Sequence, residues 1–417
     1  MKKITILILV AVSLFISCSR SSRRMVTLWT NRPEIAAYVE EFNATNDTVK
    51  IEIEYRDSPG TELVSAQTPV DLVFDEYLNS SRTAPLFGSL DSLFKNQRIN
   101  PSLFYEDLLD LGTHEEHTNL LPVSFNLPLI YFKKRLESEY IEPFFMNVDN
   151  LKKASSLINE SSTKSFTREG FSPLWSKESI YQMAVLNNTD FKQLGNILSW
   201  NDENLEKTVS SIKDWIKTVN KGMDAEREFE EKFLYDPRPK LVNQGRIAFA
   251  YSDINSFFTL PPEKRENLDF RWLSSGDKVY ALNSILFAGI PKNAEHKKEA
   301  GVFLSWFFKT ETQEKLLEAS MHKRIRIFGI GQGFSSLKTV NNTVLPKLYP
   351  ALMGHIPPEN AIVYPFPVPA NWPVIKDQII KPWLLEKITA EDPQNRELKD
   401  AVTNWEKQNP EQSKVID

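Results

Sequence analysis

Met25-Val26-Thr27-Leu28-Trp29-Thr30, followed at once by Asn31-Arg32-Pro33-Glu34-Ile35, is the stretch on which the fold turns. The apolar run has the length and flanks of a buried strand. In the next segment Asn31 suits a helix cap, Pro33 the first turn, and Glu34 the reciprocal position of a capping box. Ile35, Tyr38, Val39 and Phe42 then recur at helical spacing and predict one buried helix face. Val49 to Tyr55 alternates apolar and polar residues and predicts a second strand. Thr68 to Phe74 predicts a third, after a loop containing Pro59-Gly60. Strand, helix, strand and strand in this order predict an α/β chain with a mostly parallel sheet and right-handed crossovers.

Downstream, Asp202 to Val219 carries Leu205, Val209, Ile212, Trp215, Ile216 and Val219 on one face and predicts a helix. Phe229 to Tyr235 extends a second helix until Pro237. Ile247 to Tyr251 and Ser284 to Pro291 read as short buried strands, the latter stopped by its proline. Two helices follow, Ala294 to Lys309 and one from Thr310, where Thr310 and Gln313 form a second capping-box candidate. Gly329-Ile330-Gly331-Gln332-Gly333 lacks the Lys-Ser/Thr of a phosphate loop and predicts a flexible hinge turn. Proline is frequent from Tyr349 to Pro382, which predicts an irregular loop.

Upstream, Lys2 and Lys3 precede an almost wholly apolar run from Ile4 to Ile16, and Ser17-Cys18 follows. The run is too short to cross a bilayer stably, so it reads as an export signal. A signal ending at a cysteine resembles the bacterial lipobox, which implies lipidation of Cys18. Ser19 to Arg24 would then be a tether between lipid and fold. The alternative is an ordinary signal peptide cut nearby.

The 417 residues exceed what one core normally organises, so two domains are expected. A net charge of −5 gives no basic footprint for nucleic acid. Cys18 is the sole cysteine, so an internal disulfide is excluded. There is no Gly-x-Ser-x-Gly elbow, and His114-Glu115-Glu116-His117 is one residue short of the metalloprotease spacing. Neither a catalytic residue, a cofactor nor a metal site is expected.

The order of these pieces resembles family 1 of the extracellular solute-binding proteins of ABC importers, the group that includes maltodextrin binders. Four stretches carry the likeness. The first is Val26 to Thr30 with its helix ending at Glu41-Phe42. The second is Pro69-Val70-Asp71-Leu72-Val73-Phe74, with Val70 interposed before the aspartate. The third is Leu121-Pro122 followed by Leu129-Ile130-Tyr131-Phe132-Lys133, with Phe132 in place of the usual asparagine. The fourth runs from Ile290-Pro291-Lys292-Asn293-Ala294 through Ala300 and Phe303-Leu304 to Thr310 and Gln313. The resemblance implies a two-lobe periplasmic-binding-protein-like fold with a ligand cleft at a multi-strand hinge. Residues 25–122 and 253–320 would form lobe I, and residues 123–252 and 321–417 lobe II. It further implies a monomeric binding protein, not an enzyme, that takes a sugar-like solute and hands it to a membrane permease.

Loops at the carboxyl ends of strands face the crevice in open α/β sheets. This nominates Trp29, Asn31 and Arg32 after the first strand, and Asp75, Glu76 and Tyr77 after the third. Phe125 and Asn126 hold the first crossing, Tyr251 and Ser252 the second. An aromatic face can cover a sugar ring while carboxylates and amides meet its hydroxyls. Trp175 and Trp372 are the aromatic candidates of the second lobe, Trp372 in a loop held by prolines. For Trp29 the other reading is a core residue at a strand end, and Asp75 and Glu76 can also be read as solvated loop acids. Arg32 could meet a phosphate, which keeps a glycerophosphodiester or other phosphorylated polyol as an alternative ligand. A surface-anchored glycoside hydrolase is the alternative class, and it would need two carboxylates flanking a bond. If Cys18 carries the lipid, Cys18→Ala should move the protein from the detergent phase to the aqueous phase when expressing cells are partitioned. Unchanged partition would refute lipidation there.

Overall fold

Val26 and Leu28 are fully buried in strand β1 (Arg24–Thr30), which pairs in parallel with β2 (Val49–Tyr55) and β3 (Leu72–Glu76). The computed structural model describes residues 23–136, 139–161, 166–195, 197–390 and 397–409, so Cys18 and the signal-like stretch lie outside the described residues. The helix Ile35–Thr45 buries the expected Ile35, Tyr38, Val39 and Phe42. Its start differs from the expected capping box. Thr30 Oγ1 accepts from the Arg32 amide at 3.1 Å, the Asn31 side chain turns to the Asp57 carbonyl, and no side chain caps the first turn. The helix Thr310–His322 likewise starts without a side-chain cap, because Gln313 is buried and accepts from the Ser335 hydroxyl instead.

Strand β4 (Leu120–Phe125) is buried along its whole length and leads within three residues into β5 (Pro128–Lys133). The two strands belong to different sheets. The first sheet has the order β10-β4-β9-β3-β1-β2, and the second β7-β5-β8-β6, where β6 is Phe145–Asn147, β7 is Phe249–Asp253, β8 is Leu268–Ser274, β9 is Leu286–Gly289 and β10 is Phe334–Ser335. These sheets form the cores of two α/β lobes. Both sheets are mixed. β9 runs antiparallel to β3 and β4, and β7 and β8 run antiparallel to β5, so parallel pairing is confined to β1 with β2 and β3 in the first sheet and to β6 with β8 in the second. The reason is the crossover. For β9 this is direct: it returns from the second lobe, enters the first sheet from the opposite end, and needs no crossover helix to do so.

Successive side chains of a strand face opposite sides of its sheet. In β5, Leu129 and Tyr131 join a hydrophobic cluster that extends through the first lobe, while Ile130 and Phe132 join a second cluster. The second cluster is covered by the helices Lys177–Leu186 and Asp202–Thr218, and the latter buries Leu205, Val209, Ile212, Trp215 and Ile216 as the pattern predicts. Each fully buried large apolar side chain contributes roughly 1.5–3 kcal/mol.

Two expected boundaries move. The chain returns to the first sheet at β9 and not near residue 253, because β8 still pairs with β5. Residues following 321 do not enter the second lobe directly. β10 pairs with β4, Phe104 bridges Leu337, and Asn341 donates to Tyr105 Oη at 3.2 Å. The Gly329–Gly333 turn is therefore packed, not a flexible hinge. Ile330 is fully buried, Gly331 N donates to Tyr38 Oη, and a Cβ on Gly333 would come 2.4 Å from the Phe125 carbonyl oxygen. Membership of the second cluster resumes only at Val368. From Trp372 to Thr389 the chain is helical, where proline frequency predicted a loop. Pro373 sits at the start of Trp372–Ile375, and a π-helical turn at Lys376–Ile380 precedes Pro382, whose missing N–H an unbroken α-helix would not tolerate as well.

Beneath this packing the second lobe buries two carboxyl groups. Glu169 is fully buried, and Glu226 accepts from Asn220 Nδ2 at 2.6 Å. Burial pushes the Glu226 carboxyl up to about 7 and Glu169 well above the usual carboxylate range, with the charge of Glu226 adding to the shift of Glu169. A raised carboxyl keeps its proton in the folded chain while the unfolded chain loses it. Stability contributed this way is present at low pH and is lost as pH rises from about 4.5 to about 7. Glu226→Gln should therefore gain stability over the parent as pH is raised from 5 to 8, by on the order of 1–3 kcal/mol. Thermal melts of both proteins across that range check it; a constant difference would refute it.

Candidate functional site

Arg32, just after β1, and Glu76, the last residue of β3, form an ion pair in the first lobe. Burial raises the Glu76 carboxyl, and the charges of Arg32 and of Lys376 in the second lobe oppose that shift. Lys376 in turn bonds Glu178 at 3.4 Å and lies 5.4 Å over the Tyr181 ring, while Lys381 bonds Glu178 and Asp377. Burial works against the Lys381 ammonium, but these two acids hold it above its ordinary range. Two partly buried charge networks thus meet at the seam between the lobes. Tyr77 crosses that seam. Its backbone takes φ 56°, uncommon for a bulky residue, and its ring joins the second lobe's hydrophobic cluster. Ser81 N donates to Gln193 Oε1 across the same seam at 3.1 Å.

The hinge side is polar and tightly bonded. Asn126 donates to Asp253 Oδ1 at 2.8 Å, its own side-chain oxygen accepts from Leu127 N, and its carbonyl accepts from Leu282 N. Ser252 and Asp253 follow on the same strand end, and the Ser252 hydroxyl donates to the Asp253 carbonyl. Next to them lies a cavity of about 280 Å³ lined by Phe171, Ser172, Trp175, Ser176, Ser179, Arg238, Ala250 and Tyr251. Whole ligand sites usually take roughly 300–1,000 Å³, so this cavity suits part of a ligand. Trp175 and Tyr251, expected from the sequence, are brought together here.

Other expected residues are engaged elsewhere. Trp29 is 6% exposed, its indole N–H donates to Glu54 at 3.0 Å, and Arg56 covers its ring at 4.5 Å. Asn31 is exposed. Phe125 is buried among Phe334, Tyr105 and Tyr364 in the first lobe, because its side of β4 faces that core. Asp75 is buried and accepts from the amides of Gly60 and Glu76, both at 2.9 Å, and burial pushes its carboxyl up to about 7. Trp372 is fully buried against Phe191 and Tyr181, with ring centroids 5.6 and 6.4 Å apart. The geometry of Trp29, Phe125 and Trp372 is thus that of packing residues, since each ring is already covered by protein.

Sequence reading missed Glu178, Tyr181, Lys376, Lys381 and Arg238. Only Glu178 carried a local signal, an acid in the first turn after the Ser176 cap. Among the described residues no group of three or more His, Cys, Asp or Glu side chains could hold a metal ion. Like the smaller cavity, a larger one of about 560 Å³, lined by residues including Asn147, Lys153, Lys207 and Ser274, contains no residue of the first sheet, but unlike the smaller one it does not reach the strand end at Tyr251.

A hinge crossed by several strands between two α/β lobes defines the class, and comparison supplies the family. Residues 29–314 match the model of the bacterial extracellular solute-binding protein family, and the chain belongs to that family. The fold is that of sugar-binding proteins from the same broad group. MalE of the phytopathogen Xanthomonas citri aligns at 12% identity and a TM-score of 0.65, over 94% of this chain and 97% of that one. A cyclo/maltodextrin-binding protein complexed with maltotetraose aligns at 14% identity and a TM-score of 0.62, over 94% and 98%. An ABC substrate-binding protein from Listeria monocytogenes, in complex with cycloalternan, aligns at 15% identity and a TM-score of 0.61, over 93% and 100%. Comparison with curated proteins finds no match.

The covered rings carry a consequence for stability. Trp372→Ala should lower the unfolding free energy by roughly 3–5 kcal/mol, the loss typical of a buried tryptophan. Denaturant unfolding measures it; a loss below about 1 kcal/mol would place the ring outside the core.

Proposed function

We propose that this chain is the substrate-binding lipoprotein of an ABC importer, that it captures a sugar or oligosaccharide between its lobes, and that it delivers the solute to a membrane permease. The observation that carries this reading is the cavity walled by Trp175 and Tyr251 beside the hinge. There an aromatic face, three serine residues and the polar strand end at Ser252 converge. Arg32, Glu76, Tyr77 and Asn126 border the seam and would meet the part of the ligand that faces the first lobe. Membership of a solute-binding family and the oligosaccharides held by structural neighbours support the same reading. Cys18 would carry the lipid and hold the lobes at the cell membrane, facing the periplasm or exterior.

The other readings gain less support. A phosphate-binding role for Arg32 is weakened because Glu76 already neutralises it. A glycoside hydrolase would draw on Asp75 and Glu76, but Asp75 is committed to two backbone amides and Glu76 to Arg32.

Calorimetric titration with a panel of neutral and acidic oligosaccharides tests the proposal, with small-angle scattering on any binder. Binding is expected to reduce the radius of gyration and raise the melting temperature, because the ligand stabilises only the state it binds. Tyr251→Ala should weaken binding by about 1–3 kcal/mol, the loss of an aromatic anchor, while the melting temperature stays within a few degrees of the parent. No saccharide binding anywhere in the panel, or turnover of a bound saccharide, would overturn the proposal.

A further inference from the structure

The cavity beside the hinge has an unusual charge balance. Among its lining residues Arg238 is the one charged side chain; the others are aromatic, serine or alanine. Arg238 is partly buried and spends its N–H groups on neutral acceptors, the Leu234 carbonyl at 3.1 Å and the Trp175 carbonyl at 3.3 Å. Among the described residues it forms no ion pair, in contrast to Arg32, Lys376 and Lys381 at the same seam. Glu230 acts on it through space without reaching ion-pair distance, and burial leaves the guanidinium below its ordinary range. A partly desolvated cation whose direct partners are carbonyls only is left with uncompensated charge that an anion would complete. Two wall residues add to the demand for an acceptor-rich ligand. The Trp175 indole N–H and the Tyr251 hydroxyl are buried and have no hydrogen-bond partner among the described residues.

We infer that the ligand of this site is an acidic saccharide, whose carboxylate pairs with Arg238 while its ring packs on Trp175 and Tyr251. The inference rests on the saccharide-binding reading above and narrows it. A planar guanidinium matches a carboxylate in a two-pronged geometry, which a neutral hydroxymethyl group cannot supply. Of the three serine residues in the wall, Ser172 is hydrogen-bonded to the Glu226 carboxyl behind it, and Ser176 and Ser179 lie at the start of the Lys177–Leu186 helix. Ser179 Oγ donates to the Pro173 and Ser176 carbonyls, so neither residue brings a competing negative charge.

The test compares maltose, cellobiose and mannobiose with their hexuronate counterparts of the same linkage, and adds a glycerophosphodiester as a separate arm. Each is titrated into the full protein by calorimetry. The parent is expected to bind at least one uronate tenfold or more tighter than its neutral partner, with affinity that falls as salt is raised. Arg238→Gln should abolish that preference and Arg238→Lys should keep a good part of it, with melting temperatures recorded for both. If Arg238→Gln proves unstable, the preference and salt dependence of the parent together with Arg238→Lys decide the matter. Equal or better binding of the neutral sugars would overturn this inference and leave the saccharide reading standing. Binding of the glycerophosphodiester alone would overturn both the acidic-saccharide inference and the saccharide reading. So would the failure of every saccharide to bind.

Discussion

Everything in this molecule hangs on β5 being buried on both of its faces. Tyr131 and Leu129 point to the packing that continues from the first lobe, and Ile130 and Phe132 point to the core of the second. The strand is reached from β4 by only Asn126 and Leu127, so the passage between the lobes is short and fixed at both ends by sheet pairing. A connection of this kind can bend only at its few linking residues, since any larger movement would expose apolar side chains. Asn126 sits at that point, and its side chain and backbone are both committed to the neighbouring crossings at Asp253 and Leu282. The hinge is thereby held by directional hydrogen bonds while the lobes on either side are held by area burial.

The same constraint explains why charge gathers where the lobes meet. Strand ends at Thr30, Glu76 and Asp253 all terminate at the seam, and polar residues there need partners once water is partly removed. Arg32 with Glu76, and Glu178 with Lys376 and Lys381, provide them within each lobe. Tyr77 is the apolar complement to these pairs. Its left-handed backbone turns a first-lobe ring into the second lobe's core, which gives the two bodies an apolar contact beside the charged pairs. Against this background of compensated charge Arg238 stands apart, a cation held by carbonyls at the wall of a cavity.

Local pattern was enough for the helices Ile35–Thr45 and Asp202–Thr218, whose buried residues recur every three or four positions, and for β1 and β2. It failed where a neighbour from far along the chain changed the outcome. Prolines at 373 and 382 suggested a loop, yet a π-helical turn between them accommodates both, and packing of Trp372, Ile375 and Trp383 holds the helix. Spacing alone predicts capping boxes at Thr310 and Asn31, but Gln313 accepts from Ser335 and Asn31 donates to the Asp57 carbonyl. Of the aromatic candidates, Trp175 and Tyr251 meet at one cavity, whereas Trp29 and Trp372 are covered. A tryptophan beside a strand end or among prolines has the same sequence signature in either case.

What is periodic or contiguous can be read directly along the chain: the opening strand–helix–strand unit, the order of elements that marks the family, and the single cysteine after an apolar run. Those properties follow from residues close together in the chain, where the spacing of apolar side chains fixes which face is buried. Which residues share the seam follows from the packing of the two sheets. Glu178 meets Lys376 and Lys381 across about two hundred positions, β8 stays with β5 when its place in the chain suggests the first lobe, and Arg238 comes to line one cavity with Trp175 and Tyr251, with no acid among the described residues at ion-pair distance. Such encounters depend on how two sheets are crossed by one chain, and no local spacing encodes them.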